Sequence, residues 1–423
     1  MRNEMEYKNV ETFIEYLKNH ISDGNYKSRK DDVMHYYEKV MREQAVKVEK
    51  FSQSYVPTDY QLDLPIYYIM QIELFLGGFV EYDRPFVNRI LPKIEALGSR
   101  IEGLQRVENI DFKINELLKK NNKSFENYIF ELLVASLYLK NGYSDIEIIK
   151  ETSEKTPDLR VGDRFVECKR KIKECDYSVK ERQYWYEQFQ PVSDYLFTLN
   201  RSLVFNCNFK NELSTYYSGY LLNIIKRMIS RDLDIYENNE IKVELYDVNY
   251  EGYNNLISNE IVRVDQPLFF KKLFGYDDNV NCGITQLMKL RYKDGYYKIS
   301  PEIEYANAGI WHSLSENAED KKMISIKNNI VKAIRQIPKS EISSIHLCYE
   351  SYNGKNVENG IKGKAQEFVK NMDADGRFIT NLYLHILRPI SNDEYPGEFE
   401  EDCIEFHIDG YENHIEPYLL NYT

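Results

Sequence analysis

The stretch that decides the fold is TPDLRVGDRFVECKRKIK, residues 156–173. Gly162 and Asp163 separate two short runs of alternating character, and a two-residue Gly-Asp loop favours a type II′ β-turn. If that turn forms, residue 161 lies opposite 164, 160 opposite 165, 159 opposite 166 and 158 opposite 167. The sequence therefore predicts a tight β-hairpin in which Asp158 and Glu167 face each other, with Cβ atoms roughly 4.5–5.5 Å apart.

Two facing carboxylates destabilise a hairpin unless a cation compensates them, and a divalent metal ion held by carboxylate oxygens is the natural candidate. Side chains two apart on a strand share a face, so Lys169 is expected beside Glu167, whereas Val166 and Cys168 point into the core. One small face would then hold two carboxylates and an ammonium group. That combination suits phosphodiester hydrolysis, in which a metal polarises the phosphate and acidifies a water molecule while a lysine orients that water or stabilises developing charge.

The residues before the hairpin predict a buried helix that carries one more carboxylate. Residues 129–139 are apolar almost all the way round, which indicates burial, and Gly142 is expected to end the helix as its C′ residue. Glu131 is the only charge between Glu126 and Lys140, and it is costly to bury unless something pairs with it. Glu131 is therefore predicted to join the site. The alternatives are that an arginine or tyrosine satisfies it, or that Glu126 substitutes for it.

These residues resemble the PD-(D/E)XK nuclease superfamily, the restriction-endonuclease-like fold. The resemblance extends from the helix of Glu131, through the Pro-Asp of the hairpin, to the basic run after Lys169. It implies Mg²⁺- or Mn²⁺-dependent hydrolysis of phosphodiester bonds. It also implies that Asp158 and Glu167 bind the metal with help from the main-chain carbonyl of Cys168. Lys169 would be the catalytic lysine, and Glu131 would complete the site through water or a second metal.

Positive charge gathers beside the hairpin, although the chain as a whole is acidic. The 423 residues have a formal net charge of −13, which argues against a protein that coats nucleic acid nonspecifically. Between residues 160 and 182, eight Lys or Arg stand against five Asp or Glu, as phosphate binding requires. The side chains predicted to contact nucleic acid are Arg170, Lys171, Lys173, Lys180, Arg182 and Gln183. The alternative is an ordinary solvated surface, with the aromatic residues 184–186 packed in the core rather than stacked on bases.

The rest of the chain predicts an α/β protein in three parts. Residues 1–112 read as helical throughout and are expected to form a scaffold or dimerisation module, with binding of DNA or of a partner protein as the alternative. Residues 113–250 alternate strands and helices and are predicted to be the restriction-endonuclease-like core, a mixed central sheet flanked by helices. Residues 251–423 form a further α/β region. That region is either a second domain or the second half of the nuclease sheet, with 172–320 as a long insertion.

Several classes of protein are disfavoured by what the sequence lacks. The six cysteines show no CxxC pairing and are expected to be reduced thiols in the cytoplasm. The first residues contain no apolar leader, and the apolar run that starts at Leu64 is broken by Gln71 and Glu73, so it predicts a buried helix rather than a membrane span. The chain has no phosphate-binding loop of the G-x-x-x-x-G-K-[ST] type and no HExxH.

The sequence therefore predicts a cytoplasmic, metal-dependent endonuclease. DNA is expected ahead of RNA because most of the superfamily cuts DNA, and a role in restriction or antiviral defence and a homodimer are expected on the same ground. The alternative, from another class, is a catalytically silent protein with a nuclease fold that acts as a nucleic-acid-binding or scaffold subunit. The two differ in whether Asp158, Glu167, Lys169 and Glu131 come together within reach of one metal ion.

Overall fold

The structure of this chain is a computed structural model. The residues that the structure describes are 7–46, 62–79, 82–150, 156–171, 176–259, 267–276, 283–291, 300–339, 341–350, 355–390, 398–407 and 415–420.

Within these ranges the helices and strands alternate after a long helical start. The helices are α1 Lys8–Asn19, α2 Asp23–Val46, α3 Leu64–Leu76, α4 Arg84–Gly98, α5 Ile101–Leu104, α6 Ile110–Leu117, α7 Phe125–Lys140, α8 Asp176–Thr198, α9 Tyr220–Ser230, α10 Tyr250–Asn259, α11 Pro267–Phe274, α12 Glu316–Gln336 and α13 Lys355–Lys370. The strands are β1 Ile146–Ile148, β2 Leu159–Val161, β3 Arg164–Arg170, β4 Leu203–Phe209, β5 Ile235–Glu237, β6 Ile241–Asp247, β7 Gly283–Arg291, β8 Glu302–Ser313, β9 Ser343–Glu350, β10 Ile379–Ile390 and β11 Glu398–His407. The chain is thus a mixed α/β protein.

The described part of the first 112 residues is helical, as predicted. The stripe predicted on α1, which consists of Val10, Phe13, Ile14 and Leu17, is buried. At Gly98 the helix α4 approaches α1 so closely that an added Cβ would lie 1.8 Å from the carbonyl oxygen of Asn9, so only glycine fits there. These helices share one apolar core with α7 and with one face of the sheet that contains β3.

The first sheet has six strands in the order β1-β2-β3-β9-β10-β11. Strand β3 pairs in parallel with β9, and β9 pairs in parallel with β10, whereas the outer pairs are antiparallel. Neighbouring positions on a strand face opposite sides of a sheet. His346 of β9 lies against α7, whereas Ile345 and Leu347 pack in the same core as α12. The helices α7 and α12 therefore cover opposite faces of this sheet.

The second sheet has five strands in the order β5-β6-β4-β8-β7. Strands β4 and β8 are parallel, and the other pairs are antiparallel. Its core is rich in aromatic rings, with Trp185 of α8 among Phe189, Phe205, Phe209 and Trp311. All of its strands lie in the chain between β3 and α12.

This arrangement corrects the predicted boundary of the nuclease core at 113–250. Strands β4 and β6, which were assigned to that core, belong to the second sheet, while β9, β10 and β11 continue the sheet of β3. Within residues 251–423, β9, β10 and β11 continue the sheet of β3, whereas β7 and β8 belong to the second sheet. Alternating strands and helices carry no information about which strands become neighbours, and this is why the boundary was misplaced.

A buried polar chain crosses the first sheet and ends at a docked C-terminal segment. The hydroxyl of Tyr138 lies 3.0 Å from Nε2 of His346, whose Nδ1 lies 2.9 Å from Nε2 of His385. Nδ1 of His385 lies 3.4 Å from a carboxylate oxygen of Glu401. The same carboxylate accepts the backbone N–H groups of Leu419 at 2.8 Å and of residue 420 at 2.9 Å. The segment 415–420 is thus fixed to the core by charge-assisted hydrogen bonds.

Within the ranges given above, no helix combines the length and the apolar composition that crossing a membrane requires.

Candidate active site

The hairpin β2–β3 forms in the predicted register. The paired residues are Val161 and Arg164, Arg160 and Phe165, and Leu159 and Val166. Gly162 has a φ of +58°, as the first central position of a type II′ turn requires. An added Cβ at Gly162 would meet nothing within 4 Å. The glycine is therefore needed for its backbone angle and not for space.

Asp158 lies beside Glu167 but does not face it as a regular cross-strand pair. The ladder between β2 and β3 runs to Leu159 and Val166. Beyond it, Oδ2 of Asp158 accepts the backbone N–H of Cys168 at 2.7 Å. A carboxylate stabilises its charge by accepting an amide hydrogen bond, so Asp158 bends over β3. The carboxylate is thereby held at the middle of the Glu-Cys-Lys segment.

Glu167 is the most buried acid of the hairpin. Its side chain is 0% exposed and forms an ion pair with the ammonium group of Lys169, as expected from their shared face of β3. Oε2 of Glu167 has no hydrogen-bond partner among the described residues. Burial, together with the nearby charge of Asp158, raises the pKa of Glu167 to about 9, although Lys169 acts in the opposite direction. Lys169 alone therefore does not offset the burial of this carboxyl group and the charge of Asp158.

Glu131 is buried on α7 and is paired with a lysine, not with the arginine or tyrosine named as alternatives. Its carboxylate forms an ion pair with the ammonium group of Lys113, and the two side chains are only 8% and 4% exposed. Lys113 comes from α6 and also lies 4.2 Å from the centre of the Tyr128 ring. Glu126 is not a substitute for Glu131, because it pairs with Arg89 and Arg170 instead.

A sequence signal for Lys113 existed. The buried face of α6 consists of Ile110, Lys113, Ile114 and Leu117, so the lysine occupies a position at which the helical period demands an apolar residue. A cation on such a face needs a buried anion. Glu131, on the following helix α7, carries the corresponding negative charge at a buried position.

The three carboxylates and two ammonium groups influence one another. Glu131 contributes to the raised pKa of Glu167. Burial lowers the pKa of Lys113, but Glu131 and Asp158 outweigh burial and hold that pKa above its ordinary value. The same balance applies to Lys169, for which Glu167 and Asp158 outweigh burial. The charges of Glu131 and Asp158 thus influence Glu167 and Lys113, and those of Glu167 and Asp158 influence Lys169.

Among the residues that the structure describes, no three His, Cys, Asp or Glu side chains are gathered into a ready-made metal cage. The lysines explain this, because Lys169 and Lys113 each neutralise a carboxylate that a metal would otherwise share. The donor set nevertheless suits Mg²⁺, which is commonly held by one or two carboxylates and keeps several water molecules. The unpartnered Oε2 of Glu167 and the adjacent Asp158 supply such a pair.

Cys168 contacts the hairpin carboxylate Asp158 through its backbone and not through its thiol. Its N–H is donated to Asp158, and burial followed by the charges of Asp158, Glu131 and Glu167 raises the pKa of the thiol well above its ordinary value. A neutral thiol is a poor metal ligand. Metal binding by the main-chain carbonyl of Cys168 stays a prediction.

Arg170 does not lie where contact with nucleic acid was predicted. Its side chain is 7% exposed and pairs with Glu126 and Glu350. Glu350 also pairs with Arg89 and Lys93 of α4. Alternation along β3 places Arg170 on the face opposite to Lys169, towards α7, and so it joins the helical region to the sheet instead of reaching solvent.

The other predicted nucleic-acid contacts lie in varied surroundings. Lys171 lies 4.5 Å from the centre of the Tyr349 ring. On α8, Lys180 and Gln183 are exposed and Arg182 is half-buried. Lys173 falls outside the described residues. Of the aromatic run on α8, Trp185 is buried in the second core and Tyr186 is 41% exposed, so core packing is confirmed for the tryptophan.

No protein-family model, no curated protein and no solved structure matches this chain.

Proposed function

We propose that this chain is a metal-dependent nuclease that hydrolyses phosphodiester bonds, in DNA more than in RNA. The observation that carries the proposal is the combination of a carboxylate fixed on the amide of Cys168 with a buried, partly unsatisfied carboxylate beside a lysine. A hairpin with a purely structural role would not need a carboxylate at so buried a position, because burying a charged group is costly unless it is paired and hydrogen-bonded. Perturbed acids in contact with a cation are typical of functional sites.

In this proposal the metal, when bound between Asp158 and Glu167, supplies Lewis-acid polarisation of the phosphate and an acidified water. Lys169 orients that water and offsets negative charge as it develops on the phosphate. The amide of Cys168 fixes the direction of the Asp158 carboxylate. The exposed Lys180 and Gln183 on α8 would contact the backbone of the nucleic acid.

The test is cleavage of supercoiled plasmid, linear duplex, single-stranded DNA and RNA with Mg²⁺, Mn²⁺ or EDTA. We expect cutting that EDTA abolishes and that Asp158→Asn and Lys169→Met each reduce by at least about a hundredfold, the range typical for loss of one group that acts in the transition state. Asp163→Asn, in the turn of the same hairpin, is the matched control and should cut at the wild-type rate. Wild-type protein that binds Mn²⁺ and cuts none of the four substrates would contradict the proposal.

A second candidate function is favoured by one observation. Both Glu167 and Glu131 are already paired with lysines. Their negative charges are therefore compensated more fully than those of carboxylates in a site that binds two metal ions. A silent nuclease fold that only binds nucleic acid or serves as a scaffold subunit would keep such pairs. Retained DNA affinity without Mn²⁺ binding identifies this second function.

A further inference from the structure

Helix α9 carries a basic surface in a chain that is otherwise acidic. The formal net charge of the chain is −13, yet residues 213–231 contain three Lys or Arg and no Asp or Glu. The buried side of α9 is apolar and consists of Leu221, Ile224, Ile225 and Met228. The exposed side, which we call the basic face, consists of Asn223, Lys226, Arg227 and Ser230.

Both cations of the basic face lie over tyrosine rings. The ammonium nitrogen of Lys226 is 5.1 Å from the centre of the Tyr195 ring of α8, and the guanidinium carbon of Arg227 is 5.7 Å from the centre of the Tyr236 ring of β5. A tyrosine ring attracts a cation through its quadrupole but carries no net charge. Neither cation forms an ion pair with any residue that the structure describes. Both positive charges therefore remain uncompensated.

The acids of neighbouring segments do not contact these two cations. Glu237 of β5 pairs with Lys210 at 2.8 Å, and Asp194 of α8 accepts an amide hydrogen bond from within its own helix at 2.8 Å. The exposed Asp232 and Asp234 follow the C-terminal end of α9. A polyanion can therefore reach the basic face without displacing a carboxylate.

An exposed tyrosine stands at the N-terminal end of the same face. The side chain of Tyr217 is 60% exposed. Its hydroxyl accepts the amide N–H of Asn223 at 3.2 Å, and its backbone carbonyl accepts the amide N–H of Gln188 at 2.9 Å. The ring is thus held in place while it stays open to solvent. Exposed aromatic rings beside cations are typical of proteins that bind single-stranded nucleic acid, because unpaired bases can stack on them.

The basic face lies alongside α8, on which Lys180 was proposed to contact nucleic acid. The side chain of Gln188 accepts the backbone N–H of Leu221 at 3.2 Å, and Tyr195 lies under Lys226 further along both helices. The two helices therefore run side by side in the same direction. Lys180 precedes Tyr195 by 15 residues, which is about 22 Å along a helix. That distance leaves room for several nucleotides between Lys180 and the basic face.

We propose that the basic face of α9 and the ring of Tyr217 bind a single strand of nucleic acid that passes along α8. Lys226 and Arg227 contact its phosphates, and one base stacks on Tyr217. A duplex fits less well, because its bases are stacked on one another and cannot cover the ring. The inference deepens the proposed function and rests on it for the kind of partner.

The experiment is fluorescence anisotropy with a labelled single strand and with the duplex of the same sequence, in EDTA so that nothing is cut. The wild type should bind the single strand about fivefold or more tighter than the duplex, the contribution of one stacked base. Lys226→Gln/Arg227→Gln should weaken binding and reduce the slope of log K against log salt by about 1.4, since each phosphate contact on a single strand contributes about 0.7. Tyr217→Ala should weaken binding about fivefold or more and leave the slope unchanged.

Two further variants serve as matched controls. Lys271→Gln/Lys272→Gln removes two adjacent exposed lysines from α11, which packs on the other face of the second sheet from α9. Tyr418→Ala removes another exposed ring, which is 42% exposed and lies in the C-terminal segment. Both controls should bind the single strand as the wild type does. Melting temperatures verify that every variant is folded.

The outcomes separate this inference from the proposed function. Wild-type affinity in both α9 variants, equal affinity of the wild type for duplex and single strand, or no binding of the single strand overturns the inference, and each leaves a metal-dependent nuclease standing if the wild type cuts with Mg²⁺. Single-strand binding that depends on Lys226, Arg227 and Tyr217, in a protein that cuts no substrate with Mg²⁺ or Mn²⁺, supports the inference and removes the proposed catalytic activity.

Discussion

The affinity of this protein for divalent metal should rise steeply with pH. Burial and the charge of Asp158 raise the pKa of Glu167 from an ordinary value of 4.5 to about 9. The contribution of Glu167 to folding stability is therefore fully present below pH 4.5, and it is lost as the pH rises through about 9. With its pKa raised to about 9, we expect this carboxyl to hold a proton at neutral pH in the metal-free folded protein. A metal ion that binds there must displace the proton.

The size of the effect follows from that displacement. Between pH 6.5 and 8.5, both below the pKa of Glu167, each unit of pH should increase the Mn²⁺ affinity about tenfold, or about 1.4 kcal/mol. Over the two units the gain is up to about a hundredfold. Calorimetry in two buffers with different ionisation enthalpies should show release of about one proton per Mn²⁺.

Glu167→Gln provides the control, because it removes the titrating group while it keeps the shape. Any Mn²⁺ that this variant still binds should bind without pH dependence over the same range. If the wild type binds Mn²⁺ with an affinity that changes less than threefold between pH 6.5 and 8.5, with equal heats in both buffers, Glu167 is either ionised in the folded protein or not a ligand. Either result would refute the reasoning about its burial.

Four further predictions concern other parts of the molecule. Arg170→Met should lower the free energy of unfolding in urea by about 3–5 kcal/mol, because it breaks a buried ion-pair cluster; an unchanged midpoint would show that Arg170 is solvated. Leu419→Ala, at a fully buried side chain, should cost about 2–5 kcal/mol in the same assay, and a neutral effect would mean that the C-terminal segment is not docked. Gly162→Ala should cost roughly 1–2 kcal/mol from its left-handed φ alone, measurable as a lower melting temperature, whereas stabilisation would contradict the turn type. Lys180→Ala should weaken DNA binding and reduce the slope of log K against log salt by about 1; an unchanged slope in a filter-binding titration would remove Lys180 from the interface.

The local parts of this fold could be predicted from the sequence. The turn at Gly162 fixes the register of β2 and β3 because a two-residue loop permits few alternatives. The helix α7 ends as predicted, with Asn141 as its C-cap and the N–H of Tyr143 bonded to the carbonyl of Tyr138 across Gly142. Short-range periodicity and turn chemistry carry this information.

The parts that escaped prediction depend on contacts distant in sequence. The partner of β3 is β9, which begins at Ser343, and no local pattern distinguishes it from β4. Arg170 was predicted to be exposed because its buried partner, Glu350, lies far along the chain. Lys113 was not predicted, because the residues that resemble the nuclease superfamily begin at the helix of Glu131 and Lys113 lies on the helix before it. The sequence signal for its burial was the charge of Lys113 on the otherwise apolar face of α6.

The insertion of the second sheet has a consequence for how the protein is made. About 170 residues separate the end of β3 from the start of β9, which corresponds to roughly 10–35 s of synthesis at 5–20 residues per second. Throughout that interval β3, which carries Glu167 and Lys169, lacks its partner strand β9. A ribosome that stops early releases a hairpin without its sheet. The segment that carries Glu167 and Lys169 therefore gains its neighbouring strand only after β9 has been synthesised.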